Sequence, residues 1–286
     1  MQNHILNQKM KCIALDLDRT TLCTDGSLSE RTKRTLNQAV KCGMEVVVVS
    51  GRPFDALPES VLKIEGIRYA ATSNGAAVYA AQTGRRLHGW TIATMDVETV
   101  LCCMQEFFTG GRITYEVFVD GIAYVPADYV AHPMEYGIPV RAVKYTQSTR
   151  NPVPDIVSFI RQHQAELDSI DIILKNPEWY RTMEQKLKAQ IKDIYLTSSV
   201  EYRIEISHKD AGKASGLKYI LGMLGICPEE TIAFGDGDND ADMLKFAGVG
   251  VAMKNATPRC IASADLVGGS NDEDGVAKII EKMLGW

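Results

Sequence analysis

Five short apolar runs punctuate the chain, over residues 11–15, 44–49, 69–73, 231–234 and 249–253, each read as a strand. The second, MEVVVV, is almost continuously β-branched, the pattern of a strand covered on both faces in a parallel sheet. Helical spacing fills the intervals. Residues 29–41 (SERTKRTLNQAVK) begin on a capping serine, place Leu36, Ala39 and Val40 on one face, and meet a terminating glycine at Gly43. A weak helix is predicted over 58–63, and further helices over 212–224, 241–246 and 275–284. Alternation of this kind predicts an α/β fold, a doubly wound, Rossmann-like parallel sheet with helices on both faces.

The rhythm changes from about Arg86. Residues 112–125 (RITYEVFVDGIAYV) alternate strongly and contain Asp120-Gly121, the favoured two-residue hairpin turn. The following tract, with Pro126, Pro133, Pro139, Pro152 and Pro154, reads as irregular. Beyond it the pattern predicts helix 154–166, strand 170–174, helix 177–189 and strands over 194–197 and 202–206. These describe a mixed α+β module. The simplest organisation is therefore one core, 1–85 with 207–286, interrupted by an inserted domain over 86–206.

Composition narrows the classes. Of 286 residues 45% are hydrophobic and 23% charged, so a packed core is expected. The net charge of −5 and the absence of a basic tract argue against nucleic acid or an anionic membrane as partner. No stretch approaches membrane-spanning length, and MQNHILNQKM lacks the apolar run of a signal peptide, so a cytoplasmic location is expected. Seven cysteines without a C-x-x-C pair read as free thiols of a reducing compartment, and the five histidines show no zinc-binding spacing.

Four places carry candidate chemistry. Asp16 and Asp18 stand at the carboxyl end of the first strand, where ligands bind in open α/β sheets. Two neighbouring carboxylates repel, and with oxygen-only donors the natural counter-ion is Mg²⁺. Alone, D-x-D is a weak signal. GDGDND strengthens it, placing Asp236, Asp238 and Asp240 after another apolar run, with Gly235 and Gly237 permitting a tight loop. A calcium hand is disfavoured, because the twelfth position counted from Asp236 is Ala247 rather than glutamate. Ser50 and Gly51 follow the second strand and offer a hydroxyl and an approachable backbone N–H. Lys213, one residue after Gly212 at a helix start, adds an ammonium to a helix N-terminus, a ready anion site.

In this order, DLDRT, SGRP, AGKASGL and GDGDNDADML resemble the haloacid dehalogenase superfamily of phosphohydrolases, and within it the Cof-type subfamily with a type IIB cap. TSNGA at 72–76 and AGVGVAMKNA at 247–256 look like the same subfamily. The resemblance implies an Mg²⁺-dependent phosphatase acting on a small phosphorylated metabolite, with segment 86–206 as a cap closing over the site. Asp16 would be the nucleophile, forming an aspartyl-phosphate, and Asp18 the acid and then the base. Mg²⁺ would be held by Asp16, the Asp18 backbone carbonyl and Asp236. Leu17 and Gly51 through their N–H groups, with Ser50, Lys213 and Asn239, would hold the phosphoryl oxygens. Thr20, Arg52, Asn74 and Asp240 would support the site. A sugar phosphomutase and a non-catalytic regulator that binds a phosphometabolite are the alternatives, and a monomer or weak dimer is expected. Arg19 departs from the subfamily, which usually has glycine there; it is expected at the cleft rim, near substrate rather than metal.

Overall fold

The computed structural model describes residues 10–200 and 202–286; the stretch MQNHILNQKM, expected not to be a signal peptide, lies, but for Met10, outside the described residues. The chain divides into two compact units. One comprises the described residues up to Arg52 with Leu57–His88 and Gly212–Trp286, the other Pro53–Ala56 and Gly89–Ala211.

The first unit opens with β1 (Cys12–Leu15), α1 (Glu30–Lys41), β2 (Glu45–Val49), α2 (Glu59–Leu62), β3 (Ile67–Thr72), β4 (Ala77–Ala80) and β5 (Arg85–Gly89). Ser29 caps α1, its hydroxyl accepting from the Thr32 N–H at 3.1 Å. The second unit carries α3 (Thr94–Thr109), β6 (Ile113–Val119), β7 (Ile122–Pro126), α4 (Ala127–Ala131), α5 (Val140–Thr149), β8 (Arg150–Val153), α6 (Ile156–Gln162), β9 (Leu167–Leu174), α7 (Tyr180–Gln190), β10 (Ile194–Thr197) and β11 (Arg203–His208). The first unit resumes with α8 (Lys213–Leu224), β12 (Thr231–Gly235), α9 (Ala241–Phe246), β13 (Val249–Ala252), α10 (Pro258–Ile261), β14 (Leu266–Val267) and α11 (Gly275–Leu284).

The strand order in the first unit is β14-β13-β12-β1-β2-β3-β4-β5. The six strands from β14 to β3 pair in parallel, as expected, and β4 returns antiparallel beside β3. The short runs AVYA and RRLHG that form β4 and β5 carry little β-branched signal, so no strand was expected there. Ile13, Ala14, Leu15, Val46, Val47, Val48, Val49, Ile232 and Phe234 are all fully buried. Each large apolar side chain so covered contributes about 1.5–3 kcal/mol. From β1 the chain steps to β2 and β3 on one side and later to β12, β13 and β14 on the other. That reversal at β1 opens a crevice at the carboxyl strand ends. Leu15 is level with both Phe234 and Val48, so the residues that follow these three strands meet at one height.

In the second unit the order is β10-β11-β9-β6-β7-β8, antiparallel except between β7 and β8. The β6–β7 turn has positive φ at Asp120 (46°) and Gly121 (79°), the backbone that Asp-Gly favours. The proline-bearing tract is not irregular. Pro126 and Pro139 stand immediately before α4 and α5, and Pro133 opens a single helical turn. A helix start has no partner for its first N–H groups, so a residue lacking one costs nothing there.

Candidate active site

Asp16 follows β1 with its carboxylate buried, and its own N–H remains in the ladder, donating to the Phe234 carbonyl at 3.1 Å. The chain then turns tightly through Leu17–Thr21. Leu22 N–H closes the turn onto the Leu17 carbonyl at 2.8 Å, and the Thr21 hydroxyl donates to the Asp16 carbonyl at 2.6 Å. Lys213, the first residue of α8, reaches the same place from the other end of the sequence. Gly75 makes this possible: its φ is +83°, and a Cβ there would collide with the Gly212 carbonyl. Only a glycine lets the start of α8 pack so closely on the loop after β3.

Lys213 is 2% exposed, and its Nζ donates to Asp16 Oδ1 at 2.6 Å and to Asp240 Oδ1 at 2.5 Å. Asp240 Oδ2 accepts from the N–H groups of Asp236 (2.9 Å) and Gly237 (2.8 Å). Asp236 Oδ1 accepts from the Thr20 hydroxyl at 3.0 Å, and its Oδ2 lies 3.6 Å from Arg19 Nε. Asn239, in the same turn as Asp240, donates to Asn74 Oδ1 at 2.9 Å. Asn74 N–H in turn bonds the Ser50 carbonyl at 3.1 Å. The buried Ser50 hydroxyl accepts from the Arg52 N–H at 3.2 Å. One network thus spans the ends of β1, β2, β3 and β12.

The electrostatics are those of an acid cluster short of cations. Burial, and then the charge of Asp240, hold the Asp16 carboxyl well above the usual carboxylate range against the pull of Lys213. Burial and Asp240 push Asp236 up to about 7. Burial alone would discharge Lys213, but Asp16 and Asp240 hold its pKa above the ordinary lysine value, so the ammonium persists. Oxygens of Asp16, Asp236 and Asp240 lie within 4.8 Å of one another. Both oxygens of Asp240 are committed to Lys213 and backbone N–H groups, which leaves Asp16 and Asp236 as donors. A hard divalent cation suits such a set.

A raised carboxyl stabilises the fold fully below its unfolded value, and that contribution is lost as pH rises through the folded value. For Asp236 the window runs from about 4 to about 7. The rise in thermal midpoint on adding Mg²⁺ to chelator-treated protein is therefore expected to be larger at pH 8 than at pH 5. An equal rise at both would show that the cluster does not carry this charge.

Several side chains depart from expectation. Asp18 lies apart from the acid cluster: its carboxylate is 55% exposed and takes both arms of Arg52, at 2.8 Å from Nε and 2.6 Å from Nη2. Asp238 turns away to accept from the Thr257 hydroxyl at 2.6 Å, because the tight turn Asp238–Asp240 points successive carboxylates in different directions. Arg19 requires a correction. With a positive φ of 60°, it lies beside Asp236 of the acid cluster, where it was expected away from those carboxylates. Asn255 fixes it there, accepting from Arg19 Nη2 at 3.2 Å through its carbonyl and donating to the Arg19 carbonyl at 2.8 Å. Neither Asn255 nor Thr257 was singled out in the sequence. Asn255 stands inside AGVGVAMKNA, and only that segment's resemblance pointed to it.

These buried carboxylates and their lysine stand at the carboxyl ends of a parallel α/β sheet, the place where such folds carry their sites. A family model described as haloacid dehalogenase-like hydrolase matches residues 13–280, and the chain belongs to that family. It is similar to phosphatase YwpJ of Bacillus subtilis strain 168, with 32% identity over 295 residues covering 96% of this chain and 100% of that protein. A second relative from the same organism, 5-amino-6-(5-phospho-D-ribitylamino)uracil phosphatase YitU, is 29% identical over 283 residues, covering 98% and 99%. Among solved structures, a haloacid dehalogenase-like hydrolase from B. subtilis superposes with a TM-score of 0.80 at 30% identity, covering 95% of this chain and 99% of that one. The resemblance carried by the four motifs is borne out, and the chain is a hydrolase of the phosphatase type. No helix among the described residues is long and apolar enough to cross a membrane.

Proposed function

We propose that this chain is an Mg²⁺-dependent phosphomonoesterase that hydrolyses a small, sugar-phosphate-like metabolite through an aspartyl-phosphate on Asp16. The observation that carries it is the buried Lys213 bridging Asp16 and Asp240 with Asp236 alongside, at the crevice between β1 and β12. A carboxylate oxygen of Asp16 attacks phosphorus, and the bond from phosphorus to the ester oxygen breaks. Asp18 gives that oxygen its proton. Asp18 then takes a proton from water, which attacks phosphorus and releases inorganic phosphate with Asp16 restored. The bidentate fork of Arg52 orients the Asp18 carboxylate. Lys213, Ser50, Asn239 and the N–H groups of Leu17 and Gly51 hold the phosphoryl oxygens. Thr20, Asn74 and Asp240 brace these groups through the bonds described.

Asp16, Asp236 and the Asp18 carbonyl would hold Mg²⁺, whose positive charge offsets repulsion between a carboxylate and an anionic phosphate. The inserted segment 86–206 is proposed as the cap, and a cytoplasmic location goes with small metabolites as substrates. The YitU relative, whose substrate carries a phosphate on a ribityl chain, supports a phosphorylated polyol or sugar.

A panel of sugar and polyol phosphates tests this, with Mg²⁺ and with chelator. Free phosphate is expected from several members, and only with metal. An isomeric ester in place of free phosphate would indicate transfer between sugar positions, and no product from any member would leave the phosphometabolite regulator.

A further inference from the structure

Arg19 occupies a backbone conformation that glycine takes freely and other residues rarely, with φ 60° and ψ 9°. Its head group is anchored rather than free. Nη2 donates to the Asn255 carbonyl, the Asn255 amide donates back to the Arg19 carbonyl, and Asn255 Oδ1 accepts from the Asn271 N–H at 3.1 Å. This clamp holds Nε 3.6 Å from Asp236 Oδ2, while 52% of the side chain stays open to water. The acid cluster otherwise has three carboxylates, Asp16, Asp236 and Asp240, facing the single ammonium of Lys213.

We propose that Arg19 is a built-in counter-cation of this cluster. It neutralises Asp236 in the metal-free protein and so lowers the affinity for the divalent ion, an inference that rests on the proposed metal site. Arginine and metal compete for one carboxylate. Repulsion from an incoming cation acts on a guanidinium that has solvent to move into. The consequence is an enzyme whose metal occupancy responds to the ambient Mg²⁺ concentration, where a neutral residue in the same loop would keep the site filled.

Calorimetric titration of Mg²⁺ into the chelator-stripped full-length chain tests this, using the native protein, Arg19→Gln, Arg19→Gly and Asp236→Asn. Glutamine keeps a side chain on the strained backbone and removes the charge, together with the Nη2 bond to the Asn255 carbonyl. The Asn255 amide still has the residue-19 carbonyl to donate to. Arg19→Gln is expected to lower the Mg²⁺ Kd by about fivefold, the upper end for a partly exposed ion pair. Arg19→Gly should lower it at least as far, and Asp236→Asn should bind far more weakly than the native chain. The metal-free thermal midpoint of Arg19→Gln should also fall, while its Mg²⁺-saturated midpoint does not. Unchanged affinity in Arg19→Gln, with Asp236→Asn still impaired, would overturn the counter-cation role and leave the metal site standing. A gain confined to Arg19→Gly would overturn it too, because relief of backbone strain would then be the cause. Native affinity in Asp236→Asn would overturn the proposed metal site itself, and the inference with it.

Discussion

Asp16→Asn is expected to keep the fold and to lose phosphate release by at least about a thousandfold. The carboxamide has nearly the shape of the carboxylate but cannot form the acyl phosphate. Stability should move the other way. Asp16 is buried, and its carboxyl is pushed up by burial and by Asp240, so its charge is held at a cost in the metal-free protein. Replacing it with a neutral group removes that repulsion, while Lys213 keeps Asp240 as partner. The chelator-treated midpoint should therefore equal or exceed the native one, the pattern of a residue retained for chemistry at the expense of stability. Native turnover in the variant would remove Asp16 as nucleophile. A midpoint several degrees lower would make it a structural residue.

Lys213→Met is the opposite case and is expected to fail on both counts. Methionine fills much of the same space, but Asp16, Asp236 and Asp240 are left without their buried cation. Removing one partner of a buried ion pair typically costs about 3–5 kcal/mol. The loss should appear as a large fall in thermal midpoint at pH 8. It should shrink toward pH 5, where protonation relieves the unpaired carboxylates. Adding Asp240→Asn to the same chain should restore part of the stability, because the two residues are in direct contact and their effects do not add. No phosphate release is expected from either variant. A native midpoint in Lys213→Met would show that the ammonium does not hold the cluster together.

Much of this arrangement was legible because strand ends are legible. An unbroken β-branched run such as Val46–Val49 admits one environment, the middle of a covered parallel sheet. Whatever polar residue follows it must then stand at the mouth of that sheet, as Ser50 does; Asp16 and Asp236 follow in the same way. Side-chain direction was less accessible. Asp236, Asp238 and Asp240 alternate regularly in sequence, yet the tight turn that carries them sends Asp238 to Thr257 and Asp240 to Lys213. Arg19 was misplaced for a similar reason, since a single positive φ reverses the direction in which a side chain leaves the backbone. The prolines of 126–154 misled because their usual effect depends on position. Inside a helix they break it, whereas just before its start, as at Pro126 and Pro139, or at its first position, as at Pro133, they are compatible with it.

The pairing of β1 with β12 joins Cys12 to Thr231, residues separated by most of the chain, and it has a temporal side. Contacts of such sequence separation form late, because the long intervening loop must close before they bring any reward. A chain emerging from the ribosome would make β1 to β5 first, with one edge of β1 bare until β12 arrives. Asp16, the proposed nucleophile, would then exist for much of synthesis without Asp236 and Asp240 beside it. Maturation of activity should coincide with closure of the last parallel pairings, and nascent chains halted before β12 are the species most exposed to edge-to-edge association.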